Sequence, residues 1–361
     1  MNLPVRVQDQ AGSEPVISVD GAWGAPGLNL SHWPGNSTPA DLKRELSTGI
    51  ALAFSRLDAA DQAARSAGCV ALCNNHYDTD GVCAMLALAD PQSAWRHEEA
   101  LLAAARAGDF FQVPSEAAFV IDAIVTGLTD TQRSPWSARF QGLSDRARHE
   151  LCTLEVLERL PGWLAGDVDE FKMLWEPRLA DLRADLADLS ALPEDDLVHL
   201  SLSVWQAAPG ARSSRSTDSP SFDPGRHALF GSRATDRQLV IGPGASPGSG
   251  ATYRFLIGTL SWFDLPGPTP PPRPDLVALG STLNELEGTQ SSDTVSWQHQ
   301  SPSGASPELW FGTSEFAPFS QHAQSVLMSS ALEPTTVKTA VVDALRAAWV
   351  FPDADDETDL D

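Results

Sequence analysis

The chain has 361 residues, 42% hydrophobic and 20% charged, a globular composition long enough for two domains. Its net charge of −24 excludes a broad basic face and argues against long nucleic acid as a partner. No apolar run approaches the ~20 residues that span a bilayer; residues 1–10 lack a signal-peptide core, and four cysteines make no disulfide framework. A cytoplasmic protein with no membrane partner is therefore expected.

In chain order, Pro15–Gly21 reads as a short strand closing on Asp20 and Gly21, and Leu28–His32 as a second. Pro39–Leu57 is predicted helical, capped by Ser37 or Thr38, with Leu42, Leu46, Ile50, Leu52 and Phe54 as its apolar stripe. Cys69–Cys73 is a continuous apolar run that fits a strand buried on both faces. Cys69, Cys73 and Cys83 lack CxxC spacing and read as small buried hydrophobes. Helices follow at Gly81–Ala89 and Glu98–Gly108. This alternation predicts an α/β domain over 1–143, with a mostly parallel sheet flanked by helices.

Leucines at helical spacing make 144–207 a helical connector, and Ala208–Ser216 is small and polar, as a linker is. A smaller α+β domain is expected over 208–350. Its strands are Leu239–Ile241, Tyr253–Ile257 and Leu309–Gly312, and Thr336–Trp349 is its closing helix. Gly242–Gly250 reads as a hairpin connection, so its Gly244-Ala245-Ser246-Pro247-Gly248 match to a nucleophile elbow is discounted. Trp262, Trp297 and Trp310 read as core, and 351–361 as an acidic disordered tail.

The chemistry concentrates in Asn75-His76-Tyr77-Asp78-Thr79-Asp80-Gly81, where a strand runs into a helix. In an extended segment His76, Asp78 and Asp80 point to one side. Acids so crowded repel unless a cation sits among them, which makes the three residues the core of a divalent-metal site. The alternative is a polar turn with Asp80 as helix N-cap.

From Asn75 to Leu86 the chain resembles the first motif of the DHH phosphoesterase superfamily, and as a whole it resembles an uncharacterised bacterial family of unknown function. The first resemblance implies a DHH-like fold with two Mn²⁺ or Mg²⁺ ions and hydrolysis of a small phosphorylated or nucleotide substrate. Val16–Asp20 is similar to the superfamily's strand ending in a lone Asp. Leu28–Trp33 is similar to its Asp-His-His strand, and Ala103–Phe110 to its helix ending in a ligand Asp. The order is rearranged, with both strands before the first motif. The implied ligands are Asp20, His32, His76, Asp78, Asp80 and Asp109, with Asp80 and His32 catalytic.

Where the superfamily has Asp-His-His, this chain has Ser31-His32-Trp33. A catalytically impaired module with a binding or regulatory role is the alternative expectation, and a non-phosphoryl metal hydrolase a third. Arg96, Arg106, Arg226, Arg233 and Arg254 are candidate phosphate partners, with Arg254 and Arg226 put forward for substrate binding.

Overall fold

A computed structural model describes residues 3–8, 10–215, 222–244, 246, 248–267, 269–316 and 323–349. The expected acidic tail and Ser216 of the expected linker lie outside the described residues. The chain forms two compact units. The first comprises Met1–Leu186, Gly225–Ser232 and Trp262–Pro268; the second comprises Ala187–Pro224, Arg233–Ser261 and Thr269–Asp361.

In the first unit, β1 (Val5–Val7), β2 (Val16–Val19), β3 (Gly27–Leu30) and β4 (Leu72–Asn74) form a parallel sheet in the order β1-β4-β2-β3. Every residue of β2 is buried, as in a strand covered on both faces. β2 and β3 pair in parallel across residues 20–26 alone, a shorter crossover than the dozen or more residues such pairs usually need. Gly27 permits this: its φ is +108°, and a side chain there would collide with the Val16 backbone.

The helices of this unit are α1 (Ser47–Ser55), α2 (Ala59–Arg65), α3 (Thr79–Ala89), α4 (Pro91–Arg96), α5 (Glu98–Phe110), α6 (Glu116–Leu128) and α7 (Asp145–Leu164). Most of α8 (Lys172–Ser190) and all of α9 (Arg226–Ser232) belong here as well. The helix predicted over Pro39–Leu57 is real only as α1, because its start is fixed by a distant partner rather than by Ser37 or Thr38. The strand predicted at Cys69–Cys73 is shifted to Leu72–Asn74, where it pairs with β1 on one side and β2 on the other. Cys69 is left half-buried. The helices read as a connector over 144–207 are largely part of the first unit. The Val7 amide donates to Glu150 of α7 at 3.1 Å, fastening that helix to β1.

The second unit holds β5 (Asp196–Leu197), β6 (Leu202–Gln206), β7 (Arg237–Pro243), β8 (Ala251–Ile257), β9 (Ser296–His299), β10 (Glu308–Phe316) and β11 (Ala323–Leu327). Their order is β11-β10-β8-β7-β6-β5, with β9 also paired to β10. α10 (Leu276–Glu287) and α11 (Pro334–Ala347) pack on a core that includes Tyr253, Phe255, Trp297 and Leu309. The Gly/Pro-rich loop is the β7–β8 hairpin connection, in register Pro243↔Ala251, and Ala245 and Pro247 fall outside the described residues. No described helix is long and apolar enough to cross a membrane.

Candidate metal centre

Parallel strands end at the same edge of a sheet, and that edge is where this chain puts its polar residues. Asp20 follows β2, His32 lies just beyond β3, and His76 and Asp78 follow β4. Since β2 runs between β3 and β4, Asp20 stands between the two histidines. Asp20 has a φ of +48°, a left-handed backbone that Asp tolerates better than most residues. Strain of this kind concentrates where a side chain is being aimed.

Two overlapping groups result: Asp20, His32, Asp80 and Asp109, and Asp20, His76 and Asp78. Within each, one ligand atom per residue lies within 4.8 Å of the others. Asp20 is shared, with one oxygen for each side. Its Oδ1 is 3.5 Å from His32 Nε2 and its Oδ2 is 3.3 Å from His76 Nε2. His32 Nε2 also faces Asp109 Oδ2 at 3.0 Å and Asp80 Oδ2 at 3.7 Å, while His76 Nε2 faces Asp78 Oδ2 at 2.9 Å. The six sequence-predicted ligand residues thus meet at one place. The alternation argument for His76, Asp78 and Asp80 needs correction. The helix has already begun at Thr79, so Asp78 rather than Asp80 is its N-cap, accepting from the Gly81 amide, and Asp80 turns into the other group.

Both imidazoles are oriented in the same way. His32 Nδ1 donates to the Glu45 carbonyl at 2.5 Å, and His76 Nδ1 donates to Asn75 Oδ1 at 2.8 Å. In the neutral ring this leaves the Nε2 lone pair facing carboxylate oxygens, an arrangement that is repulsive unless a proton or a metal ion lies between. His32 Nε2 and Asp20 Oδ2 are buried with no well-directed hydrogen bond. No Lys or Arg pairs with Asp20, Asp78 or Asp80 among the described residues. Two unit charges 4 Å apart repel by about 4 kcal/mol near a protein surface, so carboxylates this crowded call for cations. These residues fit a metal ion.

Some of the charge is met by backbone. α1 points its N-terminus at Asp80: Ser47 N donates to Oδ2 at 2.7 Å and Thr48 N to Oδ1 at 2.9 Å. The Ser47 hydroxyl donates to Asp20 Oδ1 at 2.9 Å. Gly81 matters for its lack of a side chain rather than its φ: a Cβ there would lie 2.1 Å from Asn74 Nδ2 and 3.2 Å from Asp20 Oδ2.

Without cations the cluster holds protons. Burial and the Asp20 charge raise Asp80 to about 6. Burial and Asp80 raise Asp109, and burial and Asp20 raise Asp78. Burial opposes charge on His32 and His76, but Asp109, Asp20 and Asp80 together outweigh it at His32, and Asp78 with Asp20 at His76, so both are lifted. Asp20 alone goes down, against its burial, because both imidazoles hold it ionised.

One family profile matches residues 4–356 of the chain. The chain belongs to DUF6687, a family of unknown function. No curated protein and no solved structure matches it.

Around the ligands of this DUF6687 chain are residues that sequence reasoning missed. Phe263 stacks on His32 with centroids 3.8 Å apart, and Trp33 packs 4.9 Å from both His76 and Trp262. Trp297 and Trp310 are core, as read, whereas Trp262 is half-buried beside the site. Thr79 donates to Asp122, which also faces His227 at 3.3 Å. Only the polar Ser-Thr pair before Gly49 carried any local signal for Ser47 and Thr48.

Three of the arginines put forward for phosphate are already ion-paired. Arg254 is a half-buried member of an ion-paired group in the second unit, 2.6 Å from Glu308 and 2.8 Å from Asp223, so its charge is already neutralised. Arg233 pairs with Asp196 and Glu194, and Arg106 with Glu45. Arg226 lies over the Phe111 ring.

Proposed function

We propose that this chain is a metal-dependent phosphoesterase that hydrolyses a small phosphorylated or nucleotide substrate with two Mn²⁺ or Mg²⁺ ions. The observation that carries this reading is the bridging position of Asp20, with one oxygen toward the His32 group and the other toward the His76 group. Four carboxylates with two neutral imidazoles carry a charge that two divalent cations would cancel. Carboxylate and imidazole without thiolate is a donor set for hard or borderline ions rather than a structural zinc. The likeness of Asn75–Leu86 to the first DHH motif favours phosphoryl transfer to water over other hydrolyses.

Two such ions would lower the pKa of a bound water and neutralise charge on phosphoryl oxygens. His32, Asp80 and Asp109 would hold one, His76 and Asp78 the other, and Asp20 both. His76 and Asp78 are the partly exposed members, so substrate would reach the site on their side. The net charge of −24 favours a small substrate over long nucleic acid.

A binding or regulatory module is the second reading, and Trp33 favours it. It stands where the superfamily has a second histidine, packs against His76 and Trp262, and offers no metal-binding lone pair. A metal count combined with a screen of phosphomonoesters, phosphodiesters and phosphoanhydrides in Mn²⁺ separates the two. Two ions and turnover that Asp80→Ala abolishes support the enzyme. One ion without turnover supports the module, and no ion at millimolar Mn²⁺ removes both readings.

A further inference from the structure

The two halves of the site differ in their access to water. The side chains of Asp20, His32 and Asp80 are 0% exposed and that of Asp109 is 7%, against 26% for His76 and 32% for Asp78. The sealed half is closed by a short piece of chain from far along the sequence. Phe263 stacks face to face on the His32 ring at 3.8 Å, and Phe110 meets it edge-on at 5.8 Å. The next residue fastens the piece down: the Asp264 amide donates to the His32 carbonyl at 2.7 Å, and its carboxylate takes Lys43 at 2.5 Å and Asn36 at 2.9 Å.

We propose that Trp262–Phe263–Asp264 is a strap that traps a cation in the His32 half, while the His76 half exchanges its cation freely with solvent. This inference rests on the two-ion reading above and adds an inequivalence of the two positions. An ion among Asp20, His32, Asp80 and Asp109 would sit among side chains 0–7% exposed, behind the Phe263 and Phe110 rings, so its release would wait on local opening of the strap. An ion at His76 and Asp78 already borders solvent. The inner ion would then behave as a lasting part of the fold, and the outer one as the position set by the surrounding metal concentration.

The test loads the full chain with Mn²⁺, counts bound ions, then adds excess EDTA without substrate and measures the Mn²⁺ still bound to protein at successive times after rapid gel filtration. Two phases of equal amplitude are expected, the slow one at least roughly tenfold slower, a factor equivalent to about 1.4 kcal/mol of barrier. Phe263→Ala should merge the slow phase into the fast one with two ions still bound, and Asp264→Asn, which keeps the aromatic stack, should accelerate it partway. A single release phase from the unaltered protein, or a slow phase that neither variant changes, overturns the strap. Failure to bind two ions at the outset overturns the two-ion reading itself, so the two failures are told apart by the initial count.

Discussion

Thr79 Oγ1 donates to Asp122 Oδ1 over 2.6 Å, which fastens the turn between Asp78 and Asp80 to α6. Asp122 is itself buried and faces His227 at 3.3 Å, so the tie continues to α9. Groups that orient ligands in this way typically contribute 10- to 100-fold, roughly, to metal affinity. Asp122→Ala should weaken Mn²⁺ binding by about that factor although no ligand is removed, and should lower the melting temperature by leaving buried donors unpaired. Asp122→Asn keeps a carbonyl for Thr79 and should recover most of the affinity. Mn²⁺ titrations of both variants check this, and full affinity in the alanine variant counts against a positioning role.

Gly81 is a place where the site leaves no room for an added atom. A Cβ would come within 2.1 Å of Asn74 Nδ2 and 2.9 Å of Asp78 Oδ1, both close to the ligands. Gly81→Ala should cost about 1–3 kcal/mol, the usual range for overpacking, and should reduce Mn²⁺ affinity along with it. Calorimetric melting with and without Mn²⁺ reads both effects. An unchanged melt would mean that the Asn74 amide moves aside at little cost.

Protons and cations compete for this cluster, which fixes the sign of its pH dependence. In the metal-free protein Asp80 is raised to about 6, and Asp78, Asp109, His32 and His76 are also raised. Groups with raised pKa values bind more protons folded than unfolded, so their contribution to stability falls as pH rises through that window. The metal-free protein should therefore lose thermal stability as pH rises from the ordinary carboxylate value of 3.8 through about 6, where Asp80 titrates. Mn²⁺ affinity should rise over the same interval, with protons released on binding. Titration calorimetry in buffers of different ionisation enthalpy counts those protons, and pH-independent affinity without proton release contradicts the cluster's charge state.

Arg254 provides a contrast in the second unit. Its guanidinium holds Glu308, which is almost wholly buried, and Asp223. Arg254→Met leaves the buried Glu308 carboxylate without its cation, a change that typically costs about 3–5 kcal/mol. The melting temperature should fall while the number of Mn²⁺ ions bound stays the same. A loss of metal binding in a variant that remains folded would return Arg254 to the site.

Much of the candidate site was legible because parallel strands deliver their carboxyl ends to one edge. Asp20, His32 and His76 each follow a short apolar run, so their meeting could be argued before any coordinates. The division of labour could not. Period-two alternation placed His76, Asp78 and Asp80 together, but the helix starts at Thr79 and sends Asp80 to the opposite side of Asp20. The start of α1 was misread for a related reason: Asp80, 33 residues from Ser47, satisfies its first amides, and no local cap marks it. Phe263 and His227 carried no signal at all, because nothing in their neighbourhoods shows that the chain returns to the first unit there. Arg254 looked like a spare cation since its acidic partners lie 31 and 54 positions away.

That return has a consequence for synthesis. Every ligand-bearing residue lies before position 110, yet the Phe263 ring over His32 and the Asp264 contact with Lys43, 221 positions apart, come from the other half of the chain. A nascent polypeptide leaving the ribosome can build the parallel sheet early but cannot finish covering its acidic cluster until residue 264 has emerged. The two units are therefore poor candidates for exchange as separate evolutionary modules, because a cut at the expected linker near 208 would leave the first without its cover.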